Sequence, residues 1–327
     1  MKSWRFHEFG HIGNLQMEEI DVPLLAQGEV LIKMEYAGLN PADRFLIMGR
    51  YQGASEPPYA VGRDGCGEVV KAAADAQFNI GDKVIFTSAT VGINREGTLA
   101  EYVAIPEEGV ALLPEWWSPA DGAAGTKVFM TCWQALSDAA DLKPDETVVV
   151  TGASGGIGLA SLALAKAMGA NTIALTRSAQ KYERLLKSGA DYVCETNDPH
   201  VVRKIMDLGG GDVIIDVVGG EFLAKCIEMT NTFGRICIVG ALGGVNCEIN
   251  PVQIIFKRLQ IHGMQVSMYK AVEAQQALKD LLKVLMPTKA RLLIDKIFPF
   301  DQVQEAFEHM RRGPMGKVIV GPIGDEK

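Results

Sequence analysis

The chain is short of positive charge: 32 Lys and Arg stand against 40 Asp and Glu, giving a net charge of −8 at pH 7. Nucleic-acid binding rests on clustered Lys and Arg that neutralise phosphates, so this balance argues against such a partner. Long apolar runs are missing too. None reaches the roughly 20 residues a helix needs to span a bilayer, so no membrane partner is expected. The opening stretch Met1-Lys2-Ser3-Trp4-Arg5-Phe6-His7 has no apolar core of the kind a secretory signal carries. Cysteines are few and scattered (Cys66, Cys132, Cys194, Cys226, Cys237, Cys247), and no two are spaced C-x-x-C. That argues against a disulfide framework and points to reduced, mostly buried thiols in the cytoplasm. Histidine is scarce, and none of His7, His11, His200, His262 and His309 has a partner at metal-ligand spacing.

What is present organises around one stretch. Val148-Val149-Val150 is a β-branched run, and Thr151-Gly152-Ala153-Ser154-Gly155-Gly156-Ile157-Gly158 follows it at once. Ala153-Ser-Gly155-Gly-Ile-Gly158 fits the dinucleotide fingerprint G-x-G-x-x-G with alanine in first place. Ala153 still permits a tight turn, Gly155 lets backbone approach a pyrophosphate, and Gly158 lets the helix lie close on the strand. The helix start then offers unpaired N–H groups and a partial positive charge. Ala153, Ser154, Gly155, Gly156 and Ile157 are therefore expected to hold a dinucleotide, against the plainer reading of a glycine-rich loop that caps a helix.

With 327 residues the chain can form two domains. Residues 1–121 read as short strands broken by Gly, Pro and Asp, including 30–34, 67–70, 81–86 and 100–106, which predicts an irregular antiparallel β domain. From about Pro119 the pattern turns helical, with Val128, Cys132, Ala135, Leu136 and Ala139 on one face. Residues 122–264 then alternate unbroken apolar strands with helices, which predicts a six-stranded, doubly wound parallel α/β domain of Rossmann type. Two helices, 271–285 and 302–311, and a strand at 317–320 form a tail expected to pack back on the first domain. The fold class is thus α/β, and the substrate domain comprises 1–121 and 265–327.

The second strand of that domain ends Leu175-Thr176-Arg177-Ser178, with Lys181 one turn on and no carboxylate before Glu183. An NAD site usually has Asp or Glu there, on the ribose 2′-OH. Arg177 can stack on adenine and pair with a 2′-phosphate, Ser178 can donate a hydrogen bond, and Lys181 adds charge. This favours NADP, with Thr176, Arg177, Ser178 and Lys181 as contacts. The alternative is two solvated cations at a helix start. Tyr192 is placed on the adenine side or in the core. Val239-Gly240-Ala241, at the carboxyl end of a parallel strand, lies where sheet topology expects ligand.

The order of domains and several motifs resemble the medium-chain dehydrogenase/reductase superfamily over essentially the whole chain. The motifs are Thr-Gly-Ala-Ser-Gly-Gly-Ile-Gly, Gly38-Leu39-Asn40-Pro41-Ala42-Asp43 with Gly49-Arg50-Tyr51, Val61 to Val69, Asp216-Val217-Val218-Gly219, and Gly316-Lys317-Val318-Ile319-Val320. The resemblance is nearest to the zinc-free quinone oxidoreductases and enoyl-thioester reductases. It implies a GroES-like first domain and cofactor contacts from Asn40, Thr131 and Val218. It also implies a loop over the nicotinamide in which Tyr51 is proton donor, carbonyl anchor or merely an aromatic lid. Asp43 reads as a loop anchor or helix N-cap.

Zinc-dependent members of that superfamily have Cys where Asn40 stands and His-Glu where Arg63-Asp64 stands, and Lys127, near the third ligand position, is no convincing ligand. The four-cysteine structural lobe is also missing. No metal is expected. Without a Lewis acid for an alkoxide, the acceptors that remain easy are those that spread negative charge themselves, namely quinones, enones, alkenals and enoyl thioesters. The expected activity is zinc- and flavin-free hydride transfer from NADPH to such a small electrophile. The alternatives are an enoyl-thioester reductase and a non-catalytic NADP-binding protein. A homodimer is expected, paired along Ile261-His262-Gly263-Met264.

Overall fold

The computed structural model describes residues 1–324; the end of the expected substrate domain, at 325–327, lies outside them. The chain divides into two compact units. One comprises Met1–Lys127, Ser267–Lys279 and the segment from Arg291 on; the other comprises Val128–Val266 and Asp280–Ala290.

The first unit is built on a seven-stranded sheet whose long central strand, Glu29–Gly38, pairs antiparallel with Asp64–Lys71 and with Tyr102–Pro106. Lys83–Phe86 and Val110–Leu112 extend one side. Lys317–Val320 and Ile294–Phe298 extend the other, so the chain's end completes the sheet that its beginning starts. A smaller sheet joins Lys2–Phe6 to Gln16–Glu19 and Tyr59–Ala60. Phe6, Ile32, Met34, Leu46, Val61, Phe86 and Phe307 are fully or almost fully buried in one core. The short strands 2–6, 16–19 and 294–298 do not stand out in the sequence, because their apolar residues alternate with Glu, Arg and Lys.

The second unit is a six-stranded, wholly parallel sheet. Numbered within the unit, its strands run 3-2-1-4-5-6 across the sheet, the doubly wound order. Strand Thr147–Val150 lies between Asn171–Thr176 and Gly211–Asp216. Val148, Val149, Val150, Ile173, Leu175, Ile214 and Ile236 are buried, as strands covered on both faces require. Helices Val201–Asp207 and Phe222–Met229 contribute Val201, Ile205, Cys226, Ile227 and Met229 to that core.

Three features depart from expectation. The helix Pro119–Trp133 ends in a π-helical stretch, Gln134–Ala139, in which Ala140 N donates to Ala135 O. A helix at Pro251–Lys257, opened by Asn250 accepting from Val252 N at 3.0 Å, has no amphipathic core face to announce it, since Ile255 and Phe256 are exposed. Finally, the tail helix Ala271–Leu285 does not belong wholly to the first unit, because residues from Asp280 cluster with the second.

Candidate functional site

In the second unit, the turn after Val150 is closed by Gly152, not by the residue in the first fingerprint place. Gly152 holds φ +55, and a Cβ there would meet Val217 Cγ2 at 2.6 Å. Ala153 is buried, and its N–H donates to Leu175 O at 3.0 Å, tying the turn to the neighbouring strand. Gly155 is the N-cap of the helix Gly156–Ala167 and has open space around it; an added Cβ would find only Gly152 O, at 3.6 Å. Gly158 is the reverse, for its Cβ would fall 2.5 Å from backbone atoms of Ala153. One glycine therefore lets helix and strand touch, and the other leaves an open cradle. The first N–H groups of the helix point from Gly156, Ile157 and Gly158 without acceptors inside the helix.

Around this turn the structure gathers most of the expected residues at the carboxyl edge of the sheet. Thr176 Oγ1 accepts from Ser178 N at 3.3 Å, Arg177 is exposed, and Lys181 Nζ donates to Ser154 Oγ at 3.2 Å. The ammonium of Lys181 thus ties the end of the second strand to the glycine turn. Thr131 is buried in the 119–133 helix. Tyr192 does not join the group. It begins its strand opposite Ile173, whereas the carboxyl end of that pair is Glu195 opposite Thr176. A residue at the amino end of a parallel strand is remote from the ligand edge, so Tyr192, which is half-exposed, is withdrawn from the adenine side.

The loops on strands 1 and 4, where the strand order reverses, are joined by a residue that sequence reading passed over as a site. Asp216 is fully buried, and its carboxylate accepts from Thr151 Oγ1 (2.8 Å), Val218 N (3.0 Å) and Gly219 N (3.1 and 3.2 Å). Thr151 Oγ1 in turn accepts from Val217 N at 3.0 Å. Asp216 O accepts from Val239 N at 2.7 Å, and Val218 O from Gly243 N at 2.7 Å, so the Val239-Gly240-Ala241 turn is fixed to the same post. An Asp closing an apolar strand and followed by Val-Val-Gly-Gly was the available signal.

The first unit holds a different kind of site: a cluster of buried charges. Asp43 and Asp64 are fully buried, and Lys317, Arg63 and Lys127 are 4%, 6% and 6% exposed. Asn40 N-caps the helix Pro41–Ile47, and its N–H donates to Asp43 Oδ2 at 2.7 Å. Asn40 Oδ1 accepts from Lys317 Nζ at 2.7 Å; the same ammonium donates to Leu39 O at 2.9 Å and lies 3.6 Å from Asp64 Oδ2. Arg63 follows Gly62, which turns at φ +105 with its missing Cβ 2.5 Å from Thr98 Oγ1. Gly38, whose Cβ would meet Ala123 O at 2.1 Å, lets the 119–133 helix close on the central strand. That approach brings Lys127 N to Asp64 Oδ1 (3.2 Å) and Lys127 Nζ to Ser88 O (2.9 Å) and Thr87 O (3.4 Å). Tyr51 lies partly buried against the core, with the Arg63 guanidinium 4.9 Å over its ring.

Burial dominates the titration of this cluster. It pushes the Asp43 carboxyl up to about 6 against the opposing pull of Arg63, the Asn40 N–H and Lys317. It also raises Asp64 and lowers Lys317. Lys127 is lowered to about 8, first by burial and then by the charge of Arg63. Among the described residues no three His, Cys, Asp or Glu side chains come together as a metal site, and no helix is long and apolar enough to cross a membrane. An amide and two cations occupy the positions matched to the zinc ligands, and such groups suit a divalent cation poorly. Arg63 and Lys127 entered the sequence reading only as residues unable to bind metal; their shared burial is a tertiary fact.

Residues 26–115 match the alcohol dehydrogenase GroES-like domain family, and residues 156–285 match the zinc-binding dehydrogenase family. The human quinone oxidoreductase is 31% identical over 328 residues, covering 98% of this chain and 97% of that protein. The 2-methylene-furan-3-one reductase of Solanum lycopersicum is 30% identical over 335 residues, covering 99% and 79%. Among solved structures, the quinone oxidoreductase of Thermus thermophilus, determined alone and with NADPH, superposes with a TM-score of 0.83 at 27% identity, covering 98% of this chain and all of that one. The chain belongs to the medium-chain dehydrogenase/reductase superfamily, in its quinone-oxidoreductase-like branch. It is an oxidoreductase of that kind.

Proposed function

We propose that the protein transfers hydride from NADPH to quinones and other activated double bonds, enones and alkenals in particular, without zinc or flavin. One observation carries the choice of cofactor. The glycine turn, with its open cradle at Gly155, is joined by Lys181 to a strand end that presents Arg177 and no carboxylate. The crystallised Thermus relative in complex with NADPH supports the same reading.

Bound NADPH would supply two electrons and one hydrogen as hydride to an electron-poor carbon. The chain's own residues do the rest. The backbone N–H groups of Gly156 and Ile157, with Ser154, hold the pyrophosphate; Arg177, Ser178 and Lys181 hold the 2′-phosphate, beside Thr176. Thr131, Val218, Val239, Gly240 and Ala241 shape the nicotinamide side. Tyr51 donates a proton or anchors the acceptor's carbonyl. The donor set at Asn40, Arg63 and Lys127 supports chemistry without a metal, and the tomato relative's printed activity supports an enone substrate.

A second copy is the proposed partner, paired along the edge strand Gln260–Gly263, on which Ile261 is exposed; Val252, Ile255 and Phe256 are exposed on the helix Pro251–Lys257 that precedes it in the chain. Sedimentation as a monomer would remove that partner. The six cysteines are unpaired, in keeping with a cytoplasmic protein. The deciding experiment is steady-state oxidation of NADPH and NADH across quinones, enones, alkenals and enoyl thioesters. NADPH is expected to be favoured at least tenfold in kcat/KM with quinones or enones. Turnover confined to enoyl thioesters would favour the thioester reductase, and no turnover would favour a binding role.

A further inference from the structure

We propose that Asp216 is a positioning residue for hydride transfer: its buried negative charge favours the pyridinium form of the cofactor's ring over the neutral dihydropyridine, and so makes bound NADPH a stronger hydride donor. The proposal rests on the reductase reading above and gives a second role to the post that ties the loops.

Three observations carry it. The first is a charge without a counter-charge. Asp216 is fully buried, and its carboxylate accepts from Thr151 Oγ1, Val218 N and Gly219 N, all of them neutral. Among the described residues no Lys, Arg or His comes within ion-pair distance of it. Hydrogen bonds from neutral donors satisfy its lone pairs and leave the unit charge in place. That charge is felt nearby, for the Cys226 thiol is pushed well above its usual range first by burial and then by Asp216. Cys226 belongs to an apolar core with Ile214, Ile227 and Ile236, a setting that screens a charge poorly.

The second is the place of that charge. Asp216 ends the strand Gly211–Asp216, beside Thr147–Val150, at the carboxyl edge where the strand order reverses. Open α/β sheets bind ligands outside that edge. Of its partners, Thr151 begins the glycine turn, and Val218 and Gly219 lie in the loop assigned above to the nicotinamide side.

The third is rigidity. Asp216 O accepts from Val239 N at 2.7 Å and from Gly240 N at 3.3 Å. Gly219 turns at φ +62 with its missing Cβ 2.9 Å from Ala241 Cα, and a Cβ on Gly240 would meet Val217 O at 2.9 Å. The two loops therefore pack backbone on backbone around a carboxylate that its hydrogen bonds hold in one orientation. A charge fixed in this way needs no reorganisation when an opposite charge develops before it. An amide oxygen could accept from the same groups at a lower desolvation cost, so what the carboxylate adds is the charge.

In the step, a C–H bond of the dihydronicotinamide breaks, and the hydrogen leaves with both electrons to form a C–H bond at the electron-poor carbon of the acceptor. The ring is left a cation and the acceptor an enolate or quinol anion, which a proton from the donor proposed above or from solvent then neutralises. Positive charge grows on the ring along the way. Asp216 therefore acts more strongly on the transition state and on the oxidised cofactor than on NADPH.

The test is a ratio of two affinities measured with no acceptor present, NADP+ by calorimetry and NADPH by nucleotide fluorescence. It compares the wild type with Asp216→Asn, Asp216→Ser and Thr151→Val. Asp216→Asn keeps an oxygen in the place of Oδ1, which takes bonds from all three donors, and removes the charge. It is expected to lower NADP+ affinity about fivefold more than NADPH affinity, the scale of one partly screened charge acting at a distance. A fivefold change in that ratio raises the potential of the bound two-electron couple by about 20 mV. Single-turnover hydride transfer to a quinone should slow by a comparable factor. Asp216→Ser, also uncharged, should shift the ratio in the same direction. Thr151→Val unties one hydrogen bond and keeps the charge, so its ratio should match the wild type within about twofold even where both affinities fall. Equal losses of the two affinities in the uncharged variants, the mark of a merely structural aspartate, overturn the proposal. So does a wild type that binds NADPH more than about tenfold tighter than NADP+, a result that needs no variant to fold. The expected ratios without oxidation of NADPH by any acceptor would uphold the role of the charge and refute the reductase reading, and a wild type that binds neither form would overturn both.

Discussion

Substituting alanine at Gly158 and at Gly155 should give opposite phenotypes from the same added methyl. At Gly158 the new Cβ falls 2.5 Å from Ala153 Cα, C and O, all backbone. Ordinary contact begins near 3.4 Å, so helix and turn must part by nearly an ångström, and neither is a flexible side chain that can swing away. Overpacking of this kind costs about 1–3 kcal/mol, and the upper part of that range applies where backbone must move. Alanine's better helix propensity returns up to about 1 kcal/mol. The net expectation for Gly158→Ala is a loss of about 1–2 kcal/mol in urea unfolding.

At Gly155 the Cβ meets only Gly152 O at 3.6 Å, and the residue has φ −81, which alanine adopts freely. Stability should change by less than about 1 kcal/mol, mainly through the weaker N-cap. The methyl would nevertheless enter the cradle proposed for the pyrophosphate, so NADPH affinity, read by nucleotide fluorescence, should fall at least tenfold. A Gly158→Ala protein as stable as wild type, or a Gly155→Ala protein with undiminished NADPH affinity, would refute the division of labour between the two glycines.

Other outcomes follow from the buried groups. Asp216→Asn puts an NH2 group among donors that now converge on a carboxylate, Thr151 Oγ1, Val218 N and Gly219 N, and should cost about 2–3 kcal/mol in chemical denaturation; no change would mean the loops are held otherwise. The Asp43 carboxyl titrates at about 6, above the usual carboxylate range, so between about pH 4 and 6 the folded state keeps a proton the unfolded chain has released. Its contribution to stability is therefore lost as pH rises through that window, by up to about 3 kcal/mol, and Asp43→Asn should flatten the loss relative to wild type in denaturation at about pH 4.5 and 7. Burial pushes the thiols of Cys66, Cys132 and Cys237 up to about 12 and that of Cys226 well above its usual range; it raises that of Cys194 too, but Cys194 and Cys247 are only half-buried and remain accessible. Iodoacetamide at about pH 8 should modify only the last two in the native protein, and rapid labelling of Cys66 or Cys132 would contradict the structure.

The parts of this molecule that the sequence discloses are those whose causes are local. Val148 to Gly158 announces strand, turn and helix because β-branched residues, glycines and small helical residues follow one another within a single motif. The alternation after it discloses a parallel sheet because each strand is apolar on both faces. Even there the turn closes one residue before the first place of the fingerprint: the positive φ belongs to Gly152, and Ala153 is a packed link to Leu175. Tyr192 shows a second limit, since its distance along the chain from the glycines suits an adenine contact while its place at the amino end of its strand does not. Asp216, Arg63 and Lys127 were in plain view as residue types. What sets them apart is burial, decided by strands and helices remote in sequence.

Hydride transfer without a metal ion is what the proposed function depends on. The most direct measurement is a single-turnover mixing experiment in which protein carrying bound NADPH, stripped of metals and shown by elemental analysis to hold almost no zinc, meets a quinone while nicotinamide absorbance is followed. Rapid loss of the NADPH signal, at the same rate in the presence of chelator, is expected. A signal that stays flat until zinc is added would contradict the central claim.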